Sequence, residues 1–341
     1  MKNNSMQIIK TLSLLILLAL GTSESLRAQT LDNKFEIGVS TDGTEDFTTI
    51  QDAIDHVRDF AEYPVVIQIH PGTYFEKVTI PNNKRNIILR GFDKKNTIIS
   101  HDDYSGKKLP TKDIDGRGAH TTYTTYTLRV AGDDCVVENL TIENTAGRVG
   151  QAVALHTEGD RIKVLNCNIF GNQDSFYLSK AGVRVFVHNT HIKGTTDFIF
   201  GATTAFFKDC IIESLSNSYI TAASTTEHEA YGFVFYKCKL VAADANVNRV
   251  YLGRPWRPFA KTIFLYCELG SHITPQGWDP WAGDKNFPDK QKTAYYAEYK
   301  NSGAGASDIS QRVAWSRQLS DTEAARYSLD KIFKGWNPLE K

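Results

Sequence analysis

Asp197 is the residue on which a chemical reading of the chain can start. It lies in Gly194-Thr195-Thr196-Asp197-Phe198-Ile199-Phe200-Gly201, a strand-like apolar run closed by glycine. Ionised carboxylates are rarely left in such company without a partner or a task. Asp174 stands 23 residues earlier, in Gln173-Asp174-Ser175-Phe176-Tyr177. Gln151 stands 23 residues before that, heading Gln151-Ala152-Val153-Ala154-Leu155. Two equal steps imply a repeating coil that stacks these polar groups on one face, the two aspartates in line and Gln151 with them only if its coil has a longer turn. Carboxylates on adjacent coils repel, so one keeps its proton to higher pH while the other stays ionised. The pair would supply an acid together with a nucleophile or base. Gln151 and Gln173 add neutral amide donors suited to an oxyanion. Turn formation is the alternative use of such aspartates.

A second cluster is Tyr251-Leu252-Gly253-Arg254-Pro255-Trp256. Arg254 follows Asp197 by 57 residues, the length of two steps of the core repeat described next. It is therefore expected on the same face, holding Asp197 ionised and oriented. Trp256, Tyr177 and Phe200 would wall the site with aromatic rings, a surface suited to sugars. The alternative for Arg254 and Trp256 is a stacked pair that serves packing alone.

The positioning elements are legible as a repeat. Val164-x-x-Cys167-x-Ile169 recurs as Phe207-x-x-Cys210-x-Ile212, Phe235-x-x-Cys238-x-Leu240 and Phe264-x-x-Cys267-x-Leu269. Looser copies start at Val137 and Val187, and successive copies are 20 to 29 residues apart. Alternating apolar runs at that interval, without helical periodicity between them, predict one β coil per step. Each step is too short for a strand, a covering helix and two loops. The expected fold is all-β, a single-stranded parallel β-helix with short N-terminal and C-terminal helices. Four cysteines share one offset in the repeat and are expected to stack inside as small apolar groups. A disulfide between neighbouring rungs is the rival, since strands about 4.8 Å apart lie within bridging range. The fifth is Cys135, and the odd count leaves at least one thiol unpaired within the chain.

Before the repeat, residues 47–61 read as a helix with Ile50, Ala53, Ile54 and Val57 on one face. Strands follow at Val65 to His70, through Tyr74, Val78 and Ile80, and at Asn86 to Phe92. Residues 101–122 look like a long excursion. After Leu269 the repeat dissolves: Gly277 to Trp281 reads as loop, Ala294 to Tyr299 as a strand and Ser320 to Phe333 as a helix that caps the solenoid or packs along it.

Length and composition bound the rest. The 341 residues suffice for one large β domain, and 39 acidic against 39 basic side chains give no bulk charge for nucleic acid. Lys2 and Lys10, the apolar run Leu12 to Leu20, and Ala28 before Gln29 form a secretory signal pattern too short to span a bilayer. Residues 1–28 are thus expected to be a signal peptide, and 29–341 the domain of an exported protein, periplasmic or secreted. His188 and His191, three apart on a strand, would point to opposite faces and make no metal site. A G-x-S-x-G elbow, an H-E-x-x-H pair, a phosphate loop and a dinucleotide fingerprint are all absent from the sequence.

Taken together, these motifs resemble the pectin methylesterase (pectinesterase) family. The resemblance runs through Asp42-Gly43-x-x-Asp46-Phe47, Gly72-Thr73-Tyr74-x-Glu76, the Gln151, Gln173 and Gly194 motifs, Leu252 to Trp256, Gly277-Trp278 and Arg312-Val313-x-Trp315. It implies a right-handed parallel β-helix and an aspartyl esterase needing no metal or cofactor. Residue by residue, it implies Asp197 as nucleophile, Asp174 as general acid and then base, and Gln151 and Gln173 on the oxyanion side. It further implies Arg254 as the partner of the nucleophile, with Trp256 and Thr127 touching substrate. Ser175-Phe176 stand where Thr-Leu is commoner, and Thr196 where Val is commoner. The implied substrate is methyl-esterified homogalacturonan, with no nucleic acid or membrane partner, and the expected state is a monomer. No inhibitory pro-domain is expected before residue 35. A chain-cleaving pectinase on the same fold and a silent pectin-binding solenoid are the competing readings.

Overall fold

The computed structural model describes residues 35–340. The expected signal peptide lies outside them. Among the described residues no helix is long and apolar enough to cross a membrane. The chain winds into three long parallel sheets of 11, 7 and 8 strands, each strand pairing with its counterpart one coil away. This is the expected parallel β-helix. Every inter-strand register is parallel, so each rung presents the same side chain position to the shaft interior.

The interior is built from columns. Phe207, Phe235 and Phe264 stack face to face, with centroids 4.4 Å apart at each step and planes within 10°. Their spacing is that of the rungs. Cys167, Cys210, Cys238 and Cys267 occupy the turn from the 11-stranded sheet to the 8-stranded one, and all five cysteines are buried free thiols. Each of these four sulfurs faces a carbonyl of the preceding coil, as Cys238 does Phe207 at 3.4 Å. The residue before each cysteine is left-handed: Asn166, Asp209, Lys237 and Tyr266 have φ between 51° and 55°. Asparagine tolerates that region, and Asn139, Asn166 and Asn189 form a side chain ladder at 2.8 and 3.1 Å.

Short helices pack at the start of the shaft and along one side of it. Helix α1 (Ile50–His56) is shorter than the stretch expected from periodicity. Thr49 caps it, accepting from the Asp52 amide, and buries Ile50, Ala53 and Ile54 beneath it. At the far end the expected single helix divides into α2 (Asp321–Ala324) and α3 (Leu329–Phe333). Ser320 and Glu323 form a capping box on α2, while Ser328 starts a second helix four residues after α2 ends. Phe333 then packs on Phe186 and Phe206, on the outside of the 11-stranded sheet. Residues 101–122 run as the expected excursion, with one antiparallel bridge between Lys108 and Ala119.

Candidate active site

The site is assembled on the outer face of the seven-stranded sheet. Strand register places Thr79, Arg129, His156, Tyr177, Phe200, Ala222 and Arg254 in one outward row. The carboxylates come from the turns that lead into this row. Asp174 and Asp197 both have left-handed backbone, φ 64° and 50°, a conformation aspartate accepts more readily than most residues. The Asp174 amide donates to the Thr196 carbonyl at 3.1 Å, and that of Phe176 to Phe198 at 2.9 Å. This pairing puts Asp174 and Asp197 in register on adjacent rungs, about 4.8 Å apart along the shaft. Gly201, at φ 124°, closes the second motif for a steric reason: a Cβ there would lie 1.9 Å from the Leu178 carbonyl oxygen.

Two details differ from the spacing argument. Gln151 pairs with Gln173, not with Asp174. A bulge absorbs the offset, the amides of Ala154 and Leu155 both donating to the Ser175 carbonyl at 2.9 and 3.1 Å. The two glutamines are thereby stacked as a pair beside the aspartates. Arg254 falls on the rung position of Phe200, not of Asp197. Its long side chain reaches back, and Nε and Nη2 donate to the two Asp197 carboxylate oxygens at 3.0 and 2.6 Å. The guanidinium lies between two rings, 3.9 Å from the centroid of Tyr219 and 3.6 Å from that of Trp281.

Gln151, Gln173, Asp174, Asp197 and Arg254 converge on one cleft of about 220 Å³, with Phe200 and Trp256 on its wall. Both aspartates are buried, at 8% and 6% exposure. Burial pushes the Asp174 carboxyl well above the usual carboxylate range, the charge of Asp197 adds to the rise, and Arg254 opposes it from a distance. Burial also raises Asp197, but there Arg254 opposes it through direct hydrogen bonds and charge. Asp279 adds to the rise at Asp197 and Lys290 works against it. The geometry therefore treats the pair unequally: Arg254 opposes the rise at Asp197 through direct hydrogen bonds and charge, and the rise at Asp174 through charge alone.

Over residues 36–336 the chain matches the family model described as Pectinesterase. The chain belongs to the pectinesterase family. It is 34% identical to pectinesterase 31 of Arabidopsis thaliana, over 85% of this chain and 90% of that protein. Its fold matches the pectin methylesterase from carrot with a TM-score of 0.78 at 31% identity, covering 88% of this chain and 93% of that one. A pectin methylesterase solved in complex with a hexasaccharide matches at TM-score 0.77 and 30% identity, covering 89% and 98%. The chain spans about half the length of other Arabidopsis thaliana relatives, whose names join pectinesterase to pectinesterase inhibitor.

Within this pectinesterase fold the remaining motif residues sort by position. Glu76 does not approach the cleft: its carboxylate accepts from the Ile50 and Gln51 amides at 2.9 and 3.1 Å, capping α1 from outside. Tyr74 donates to the His70 and Val39 carbonyls beneath it, at 3.0 and 3.2 Å. Thr127 is fully buried and its hydroxyl donates to the Glu143 carbonyl at 2.9 Å, so it offers no surface to a ligand. Its expected place is taken by Thr122 and Tyr123, at the end of the excursion. Tyr177 lies behind the wall, stacked on Phe200 at 4.3 Å and 10°, and faces an adjoining hollow with Tyr126 and His156. Trp281 escaped the sequence reading. Its signal was a second tryptophan three residues after Trp278, which is itself fully buried. His188 and His191 face separate carboxylates, Asp209 and Glu213.

Proposed function

We propose that this chain hydrolyses the methyl esters of galacturonate units in pectin, releasing methanol and leaving free carboxylates on an uncut polymer. The observation that carries the reading is the unequal treatment of two buried carboxylates on adjacent rungs, one gripped by Arg254 and the other not. Asp197 attacks the ester carbonyl carbon. The oxyanion formed is met by the amides of Gln151 and Gln173, the neutral donors of the cleft. Asp174 gives its proton to the methoxy oxygen, the carbon–oxygen bond breaks and methanol leaves. The product on the enzyme is an anhydride between Asp197 and the galacturonate carboxyl. Asp174, now ionised, takes a proton from water, and the resulting hydroxide attacks the galacturonyl carbon. Asp197 leaves as a carboxylate, and Asp174 again carries a proton. Family membership and a relative solved with a hexasaccharide support a polymeric sugar substrate. The chain is taken to act as an exported monomer, without metal or cofactor.

The test is methanol release from highly methylated pectin, run beside a reducing-end assay on the same sample. Methanol without new reducing ends is expected, and Asp197→Ala should abolish it. New reducing ends in step with falling viscosity would instead favour a glycosidase or lyase. Full activity in Asp197→Ala would remove the assigned nucleophile.

A further inference from the structure

Lys290 is a fully buried lysine that the reaction above does not use. It sits in the segment after the repeat, in contact with Trp256 and Trp281, two residues that line the cleft. Its ammonium pairs with Asp284 at 2.7 Å and lies 4.3 Å from the centroid of the Trp281 ring. It also donates to the Trp256 carbonyl at 3.4 Å. Trp281 in turn lies 3.6 Å from the Arg254 guanidinium. One indole is thus held between two cations, and Arg254 between two rings. A buried ammonium is costly, and Arg254 and Arg257 add repulsion to the desolvation it suffers. Asp284 offsets this by direct pairing.

The conformation of Trp281 shows what the ammonium holds in place. Its backbone is left-handed at φ 54°, an uncommon state for a bulky side chain. The Asp279 carboxylate fixes the Trp281 amide at 2.7 Å, and Lys290 fixes the ring. Resting on the assignment of Asp197 as nucleophile, we infer that Lys290 is a positioning residue for the reaction: by clamping Trp281 onto Arg254 it holds the Arg254–Asp197 fork in its attacking geometry. The charged and titratable groups around Asp197 are Asp174 on the neighbouring rung, Arg254, Asp279 and Lys290, with Tyr219 and Tyr296 beyond. Lys290 is the second cation in that set, and its charge favours the ionised nucleophile.

The experiment compares wild type, Lys290→Met and Lys290→Arg in methanol release across pH, well below each variant's melting temperature. Lys290→Met is expected to lose about ten-fold in kcat, with a smaller change in KM, because the Arg254–Asp197 fork loses its clamp while Phe200 and Trp256 keep their places on the wall. Its acid limb should move to higher pH, and Lys290→Arg should return it toward wild type. A Met variant that melts earlier but keeps wild-type kcat and an unmoved acid limb would overturn the proposal. If Met does not fold, Lys290→Gln carries the same comparison, keeping a donor for the Trp256 carbonyl. A crystal structure of the neutral variant gives a readout independent of the esterase assignment. Trp281 displaced from Arg254 is the expected result, and Trp281 unmoved would overturn the proposal even in a protein that released no methanol.

Discussion

Arg254 spans both oxygens of Asp197, at 3.0 and 2.6 Å, from a rung position three residues out of line with it. The reach matters because a parallel fork fixes the plane of the carboxylate as well as its charge. Arg254→Lys keeps the charge and loses the fork. A drop of roughly 10²-fold in kcat is expected, with KM changed far less. Steady-state methanol release on one pectin sample decides it. A lysine variant within a factor of two of wild type would mean that orientation of Asp197 does not depend on this pair.

The pH profile follows from the two displaced carboxyls. The proposed mechanism requires Asp197 ionised and Asp174 protonated. Both are raised by burial, Asp174 further because the charge of Asp197 adds to it. The expected profile of kcat/KM is a bell: the acid limb reports protonation of Asp197 and the alkaline limb loss of the proton from Asp174. Arg254→Lys should narrow the bell from the acid side. A profile with no alkaline limb below the range of tyrosine ionisation would exclude Asp174 as the acid.

Stability carries the same imprint with its own sign. The folded-state pKa of Asp174 lies above the unfolded value, so its proton favours the fold at low pH. That contribution is lost as pH rises through the folded pKa, where the buried charge begins to count against the structure. Asp174→Asn removes the charge and keeps the shape. It should melt higher than wild type near neutral pH, the gap closing toward acid, while methanol release disappears. Equal melting temperatures at every pH would show that Asp174 is not strained by burial. A gain in stability at the expense of activity is common at catalytic groups.

The cleft wall gives a prediction on binding. Phe200 is packed between Tyr177, at 4.3 Å, and Trp256, at 5.8 Å. Trp256→Ala removes the partly exposed outer ring and leaves Phe200 supported from behind. An increase in KM of about ten-fold is expected, the equivalent of about 1.4 kcal/mol of lost contact, with kcat changed less. A fall in kcat at unchanged KM would place Trp256 among the groups acting on the transition state.

Much of this site was legible because a solenoid converts sequence spacing into spatial adjacency. Asp174 and Asp197 share one offset from their repeats, and the structure sets them on adjacent rungs. Arg254 meets Asp197 as the spacing led one to expect, although its rung position is that of Phe200 and the reach of its side chain along the sheet leaves no trace in residue counts; Gln151 pairs with Gln173, one residue short of Asp174. Thr127 entered through the resemblance alone, and a motif match does not show that this side chain turns inward just before the strand Leu128–Val130. Trp281 and Lys290 belong to a segment with no repeat, where only tertiary contacts decide what faces the cleft. The helix division at Ala325–Ser328 was missed because apolar periodicity continues across it.

The cysteine column yields a test of the core that owes nothing to catalysis. All five thiols are buried and unbridged. Burial pushes those of Cys135 and Cys167 up to about 12. An aromatic disulfide reagent should therefore find no reactive thiol in the native protein near neutral pH, and five after denaturation. Fewer than five after denaturation without reductant would reveal a bridge between rungs.

Arg312 closes the structure at the opposite end from α1, and its loss should be felt in stability. Nε and Nη2 donate to the Glu298 carboxylate at 2.7 and 3.2 Å, and both groups are almost fully buried. The remaining donors satisfy the carbonyls of Thr274, Pro275 and Gly305 at 3.1, 2.9 and 2.8 Å. Arg312→Leu would leave Glu298 as a buried carboxylate without its cation and remove a donor from three carbonyls, of which Thr274 keeps the Gly277 amide at 3.0 Å. A loss of about 3–5 kcal/mol is expected, measured as a lower denaturation midpoint at unchanged slope. Adding Glu298→Leu should recover part of that loss, since two apolar groups leave no uncompensated charge, and a double variant as weak as the sum of the singles would show that the carbonyls, not the ion pair, dominate.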